Sequence, residues 1–175
     1  MRLNRNKSLL VVTSGLLLTL ILANHSGATT VSLTISTPAA PIGTLTISAP
    51  STFDYGTTIA NSTLIKQMSP VTVTDNRGSA AGWVASVIAS ALTNGTDGIT
   101  IIPTAMSYSS GTFLKTGTAT LTENDQTNLT GVVPVVTETS TTGVMSATWT
   151  PTMTIVIPGA STDGVYTGTI THSVA

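Results

Sequence analysis

After about residue 28, apolar and polar residues alternate along the chain with a period of two. In "VSLTIS" (31–36) every second residue is apolar, and "TLTIS" (44–48) and "VTVTD" (71–75) repeat the pattern. Because successive side chains of a strand point to opposite faces of a sheet, this period predicts strands with one dry and one wet face. Three further runs are predicted as short strands: "GITIIP" (98–103), "GTATLT" (117–122) and "GVVPVVT" (131–137). Pro134 predicts that the last of them lies at a sheet edge or contains a bulge.

Two longer alternating runs carry the two tryptophans. In "GWVASVIAS" (82–90), Trp83 is in phase with small apolar residues at every second position. In "ATWTPTMTIVIP" (147–158), Trp149 is in phase with Met153 and Ile155. Both indoles therefore belong to the apolar face of their run, and each buries some 150–250 Å² if that face is covered.

Turn signals separate the runs and set the fold class. They are "DNRG", "TNGTDG", "SSG", "TENDQTN", "TTG" and "PGASTDG". Nothing resembles an amphipathic helix longer than two turns. Eight to ten short strands joined by such turns predict one all-β domain, an antiparallel β-sandwich of the Ig-like or jelly-roll-like type. No linker divides residues 29–175, and the Thr/Ala/Pro-rich segment 29–41 is predicted to be its mobile part.

The N-terminus has the three parts of a secretory signal peptide. Arg2, Arg5 and Lys7 form a basic region, and an apolar run follows from Leu9 to Ala23. Small residues at Ser26-Gly27-Ala28 then fit a cleavage site, which predicts a signal peptide of residues 1–28 cut after Ala28. The alternative is an uncut membrane anchor, but about 15 apolar residues are short for the ~20 needed to span hydrocarbon. No stable membrane anchor is expected after cleavage.

Charge excludes several classes of partner. The segment after Ala28 keeps three cations against seven acidic residues, a formal net charge of −4. Three cations neutralise few phosphates, so nucleic acid is excluded as a partner, and so is docking on anionic lipid. Cysteine is absent, so the exported domain depends on its core alone. About a quarter of these residues are threonine, which favours strands.

Catalytic and metal-binding patterns are weak, so we predict a protein that is not an enzyme and needs no cofactor or metal. The only histidine after Ala28, His172, is in phase with Ile170 and Val174, which predicts an inward, hydrogen-bonded residue rather than a base. No serine lies in a nucleophile-elbow pattern. A hydrolase remains an alternative only because three acidic residues lie in polar loops, and a glycosidase needs a pair of carboxylates. The three residues are Asp97, Glu123 and Asp125.

The turn "TDNRG" precedes the first tryptophan run. Asp75 and Asn76 suit a turn in which side-chain oxygens accept from backbone N–H groups. We expect Arg77 to return to Asp75 or to nearby carbonyls, and so to fix the turn that directs Trp83. Two interpretations of the indoles remain: they are core residues, or they are stacking platforms for sugar rings.

Four stretches resemble a known family: "VTVTDNRGSAAGWVASV", "ITIIPTAMSYSSG", "ATWTPTMTIVIP" and "GVYTGTITHSVA". They are similar to WxL-type cell-wall-binding surface domains, in the short form of high-GC Gram-positive bacteria. The resemblance covers residues 71–175, although Trp83-Val84-Ala85 and Trp149-Thr150-Pro151 lack the leucine of the signature. It implies secretion and non-covalent retention at the cell surface, on wall peptidoglycan or glycan. It also implies binding roles for four residues: Asp75, Arg77, Trp83 and Trp149.

The resulting hypothesis is a secreted, non-catalytic protein that binds the cell wall of a Gram-positive bacterium. The alternative is a structural subunit of a surface layer or fibre. In that case the extended segment Thr29–Ser48 would donate a strand to another copy or to another surface protein.

Overall fold

Antiparallel strands form from the alternating runs. The computed structural model describes residues 43–95, 98–139 and 142–175, and these ranges contain thirteen strands and a 3-10 turn, Pro103–Ala105. The strands are β1 (Leu45–Ser48), β2 (Thr63–Gln67), β3 (Val71–Asp75), β4 (Trp83–Ala89), β5 (Leu92–Thr93), β6 (Thr100–Ile101), β7 (Met106–Ser109), β8 (Phe113–Thr118), β9 (Leu121–Glu123), β10 (Val133–Glu138), β11 (Thr142–Trp149), β12 (Thr152–Val156) and β13 (Ile170–Val174).

The strands form two four-stranded sheets, one three-stranded sheet and one hairpin. The four-stranded sheets have the orders β1-β3-β11-β8 and β13-β4-β10-β9. The three-stranded sheet has the order β2-β12-β7, and β5 pairs with β6. Every pairing between named strands is antiparallel. This confirms an all-β fold with antiparallel sheets, consistent with a sandwich.

The three-stranded sheet continues the first four-stranded sheet across one line of breaks. Strands β2, β12 and β7 join β3, β11 and β8 in sequence through only two or three residues each, and they keep the same order. Pro70 and Pro151 lie at two of the three breaks, where a missing N–H cannot extend the ladder. The Met68 N–H donates to the Pro151 carbonyl across the line at 2.8 Å. The proline in "ATWTPTMTIVIP" thus divides that run into two strands without changing its phase.

The dry faces meet in one core, and the wet face of the first sheet carries hydroxyls. Strand β4 buries every second residue from Trp83, as its alternation predicted. On the outer face, the hydroxyls of Thr72 and Thr148 lie 2.9 Å apart in adjacent strands, and those of Thr116 and Ser146 are equally close. Threonine, which favours strands, therefore occupies the wet face, and the apolar residues that alternate with it fill the core.

The structure refines two of the sequence expectations. Between β10 and β4 the register shifts from Pro134 to Val136. Pro134 therefore lies at a bulge of β10, one of the two positions that the sequence predicted for it. The run 117–122 is not one strand, since β8 ends at Thr118 and β9 begins at Leu121.

Some expectations concern residues that the structure does not describe. The leader with its cleavage site at Ala28, the segment 29–41 and the run 31–36 lie outside the described residues. Within the described part of the chain, no helix has the length and apolar character required to cross a membrane.

Candidate functional site

The turn before Trp83 is fixed by a bidentate ion pair. The backbone N–H and Nε of Arg77 donate to Oδ1 of Asp75 at 2.9 and 3.0 Å, and Nη2 donates to Oδ2 at 2.8 Å. The same Nη2 also donates to the carbonyls of Ala81 and Gly82. The hydrogen bond from the Arg77 guanidinium lowers the pKa of the Asp75 carboxyl. The predicted return of Arg77 to Asp75 and to nearby carbonyls is confirmed.

This turn directs Trp83 into the core. The exposed fraction is 2% for Trp83, 1% for Trp149 and 1% for Asp75. A ring buried to that extent presents no face on which a sugar can stack. Of the two interpretations of the indoles, the core position is the one that the structure shows.

The second tryptophan belongs to a polar chain inside the core. Trp149 Nε1 donates to the Tyr108 hydroxyl at 2.9 Å, and this oxygen lies 3.3 Å from Nε2 of His172. Burial lowers the pKa of His172 to about 4, so the ring is neutral near pH 7. The prediction of a hydrogen-bonded, inward His172 is confirmed. Tyr108 was not singled out from sequence, because its four-residue strand is too short to give a clear period.

A groove of about 750 Å³ opens beside the three-stranded sheet. Its apolar residues come from β2 and β12, from the β5–β6 hairpin and from the segment that follows β12. They are Leu64, Leu92, Ile101, Ile155 and Ile157. The volume lies in the range of about 300–1,000 Å³ that is typical of ligand sites. We treat this groove as the candidate site.

The segment 53–60 forms one wall of the groove. Phe53 and Tyr55 pack edge to face with ring centroids 4.6 Å apart. The Tyr55 hydroxyl is buried without a hydrogen-bond partner among the described residues, and burial raises its pKa. Asp54, which lies between Phe53 and Tyr55 in the sequence, accepts the Gly56 N–H at 2.8 Å and so fixes the bend of this segment.

The segment 161–167 forms another wall of the groove. The Tyr166 hydroxyl donates to the Thr162 carbonyl and accepts the Thr162 N–H, both at 3.2 Å. Thr167 exchanges two 2.9 Å backbone hydrogen bonds with Thr93 of the hairpin. The wall is therefore held by its own tyrosine and by β5. Ser161 Oγ is buried here without a partner in the described structure.

A second hollow of about 340 Å³ extends the groove toward β13. The two hollows share five residues, three of them aromatic: Phe53, Tyr55, Leu92, Tyr166 and Thr167. The shared residues show that the two hollows adjoin. Two adjoining hollows can take a ligand that extends from one into the other.

The charged groups of the groove are carboxylates. Asp54 lies on one wall and Asp163 on the other, and no Lys, Arg or His is among the described residues that line either hollow. The nearest described cation to these walls is Lys66, whose Nζ bonds the Asp54 carbonyl and lies 5.8 Å from the centre of the Phe53 ring. Among the described residues, no three His, Cys, Asp or Glu side chains are placed to hold a metal.

The acidic residues considered for a glycosidase pair are placed as follows. Glu123 is an exposed residue of β9. Asp125 accepts the Ser110 N–H at 3.3 Å, and Asp97 lies outside the described residues. The groove aromatics were missed from sequence, although "TFDYG" places two rings around an acid in a polar loop, and this was the available signal.

Comparison of the chain with protein-family models, with curated proteins and with solved structures gives no match. The resemblance to WxL-type domains is thus carried by the quoted motifs alone.

Proposed function

We propose that this is a secreted, non-catalytic surface protein that associates non-covalently with the bacterial cell wall, and that the groove binds the wall glycan. The observation that carries the proposal is the set of three aromatic side chains, Phe53, Tyr55 and Tyr166, that line both adjoining hollows. A pyranose has an apolar C–H face and a hydroxylated rim. Aromatic rings complement the face, and polar groups on the groove walls complement the rim.

Polar groups available to such a ligand lie on both walls. Thr57 lies on one wall and Thr167 on the other, both are exposed, and the hydroxyl of each can bond a sugar hydroxyl. The histidine of the described chain, His172, belongs to the core chain with Tyr108 and does not line the groove. This arrangement supports binding rather than acid–base chemistry.

Sedimentation with purified Gram-positive cell-wall sacculi tests the proposal. The protein is produced from the full chain and collected after secretion. Because the contacts proposed are aromatic and hydroxyl contacts, we expect cosedimentation that changes little with salt. Phe53→Ala should weaken binding about tenfold, which corresponds to about 1.4 kcal/mol. Protein that stays in the supernatant at every salt concentration overturns the proposal.

Two exposed positions give a matched pair that leaves the fold intact. Ile59 at the groove and Leu114 on the outer face of β8 are each 77% exposed. Ile59→Asn removes apolar contact at the groove, and Leu114→Asn makes the same change away from it. We expect Ile59→Asn to reduce cosedimentation with the sacculi and Leu114→Asn to leave it unchanged.

We infer also that the sheets belong to a single sandwich of the Ig-like or jelly-roll-like type, released by cleavage after Ala28. Mass spectrometry of the secreted protein tests the second part. A mature chain beginning at Thr29 supports it, and a retained leader contradicts it.

A second candidate function, subunit of a surface fibre, is favoured by one edge. Strand β2 pairs on one side only within the described residues, with β12, and carries Ile65 with 65% of the residue exposed. An edge strand with an exposed apolar residue is a template for strand addition. Polymers that grow with protein concentration in size-exclusion chromatography, and that Ile65→Lys removes while Val165→Lys does not, would favour this function.

A further inference from the structure

Two carboxylates line the groove, one in each of the segments that form its walls. Asp54 belongs to the wall with Phe53 and Tyr55, and Asp163 belongs to the wall with Tyr166. Both residues are exposed, and one oxygen of Asp54 accepts the Gly56 N–H. No basic side chain lines the groove among the described residues, although the ammonium of Lys66 bonds the Asp54 carbonyl from outside it. The charged side chains that line the groove are therefore two carboxylates, and they lie among aromatic and aliphatic side chains.

We propose that the groove selects amino-sugar chains that carry free ammonium groups over chains whose amines are acetylated. This inference rests on the proposed function of glycan binding and adds a chemical class to it. The aromatic rings pack equally well against the C–H faces of acetylated and of deacetylated chains. The carboxylates discriminate, because an ammonium is attracted to them and an acetamide is not.

The shape of the site favours a chain over a single sugar. The hollow of about 340 Å³ adjoins the groove at Phe53, Tyr55 and Tyr166, so a chain of sugars can reach from one hollow into the other. The carboxylates lie beside the larger hollow only, since neither Asp54 nor Asp163 lines the smaller one. An ammonium is therefore expected to matter most on the sugar units that occupy the larger hollow.

Isothermal titration with two tetramers tests the selection: fully acetylated chitotetraose and its fully deacetylated counterpart. Titrations are run at low salt below the pKa of the sugar amine. We expect the deacetylated tetramer to bind about tenfold more tightly, from charge pairs that are each weak at an exposed site. The preference should shrink as salt is added and vanish above the pKa of the sugar amine.

Three variants assign the selection to the groove. Asp54→Asn and Asp163→Asn should each reduce the preference, and together they should abolish it by weakening binding of the deacetylated tetramer more than binding of the acetylated one. Glu123→Gln, an exposed acid of β9 away from the groove, makes the same change in charge and should keep the preference. Thermal unfolding of each variant checks that the fold is kept.

Failure of this inference is distinguishable from failure of the proposed function. Equal affinity for both tetramers, or a preference that survives the double variant, overturns the selection and leaves glycan binding standing. No binding of either tetramer, together with no binding to sacculi, overturns both. A dimer that binds neither tetramer, in which a second copy covers the groove, also overturns the selection.

Discussion

The indole N–H of Trp149 donates a 2.9 Å hydrogen bond to the Tyr108 hydroxyl inside the core. The same hydroxyl lies 3.3 Å from Nε2 of His172. These side chains come from β11, β7 and β13, strands of three different sheets. The Tyr108 hydroxyl thus links side chains from three separate sheets. Trp149, to which the family resemblance assigns a binding role, is a hydrogen-bonded residue of the core.

Tyr108→Phe should destabilise the fold. The substitution leaves the Trp149 N–H buried without an acceptor, which costs about 1–3 kcal/mol. Urea denaturation followed by tryptophan fluorescence measures the free energy of unfolding. Trp149→Phe and the double variant complete a double-mutant cycle, in which a coupling energy near zero would contradict the bond.

Acidification should destabilise the protein through His172. Its pKa falls from an ordinary 6.5 to about 4 because burial disfavours the charged ring. Between these pH values the unfolded chain binds a proton that the folded chain does not bind. The free energy of unfolding should therefore fall as pH drops from 6.5 toward 4, by on the order of 3 kcal/mol at most. Urea midpoints measured across this pH range check it.

His172→Gln is the control for that pH dependence. The variant lacks the titrating ring, so its stability should be flat over the same interval. Asp75, whose pKa is lowered from 3.8, acts in a different window. Its stabilising effect is present above pH 3.8 and is lost as pH falls through its lower folded value. A slope between pH 6.5 and 4 that persists in His172→Gln would assign it to other groups.

Burial of both tryptophans predicts their fluorescence. The folded protein should show blue-shifted emission and weak quenching by acrylamide, and unfolding in urea should raise both the emission wavelength and the quenching. Wall fragments should leave the quenching of the folded protein unchanged, because the groove that we propose as the site contains neither indole. Protection by wall fragments would return the indoles to the binding surface.

The parts of the fold that were predictable are those where phase alone decides. The period of two in residues 83–89 and in 71–75 gives the strand bounds and the buried face, because one buried face specifies the register strongly. Strands β2 and β7 were missed. "TLIKQ" has no apolar alternation, and "MSYS" is too short to show a period. Both become strands by pairing with β12, which is a tertiary effect.

The candidate site was harder to predict than the sheets. The groove aromatics come from residues 53–55 and from Tyr166, which are more than a hundred positions apart. These side chains come together only because the fold brings two distant loops to the same groove. The local sequence of either loop does not predict that contact. The tryptophans stood out in sequence because they are rare and in phase. That same phase places them on the dry face, which is why they are buried.

Arg77→Ala should destabilise the protein by removing the partner of a buried carboxylate. Asp75 is 1% exposed and accepts three hydrogen bonds from Arg77, two of them from the guanidinium. We expect a loss of about 2 kcal/mol or more, since hydrogen bonds to charged groups are each worth about 1.5–3 kcal/mol. Arg77→Lys should recover only part of this, because an ammonium cannot form the bidentate pair.

Lys66→Ala serves as the comparison for that loss of charge. Lys66 is an exposed residue of β2 that bonds a backbone carbonyl, so its removal should cost little. Equal destabilisation by Arg77→Ala and Lys66→Ala in urea denaturation would mean that net charge, and not the turn, accounts for the effect.

Gly82→Ala should disturb the entry into β4. Gly82 precedes Trp83, and Trp83 pairs with Glu138 in β10. A Cβ on Gly82 would lie 2.3 Å from the Glu138 carbonyl oxygen, a distance that only a backbone shift can relieve. Because this shift moves the strand that holds Trp83, we expect a loss of about 1–3 kcal/mol. The matched control is Gly159→Ala, whose Cβ would find its nearest neighbour, Asn61, at 3.8 Å. If the two alanine variants unfold at the same urea concentration, the close approach of β10 to Gly82 does not constrain this chain.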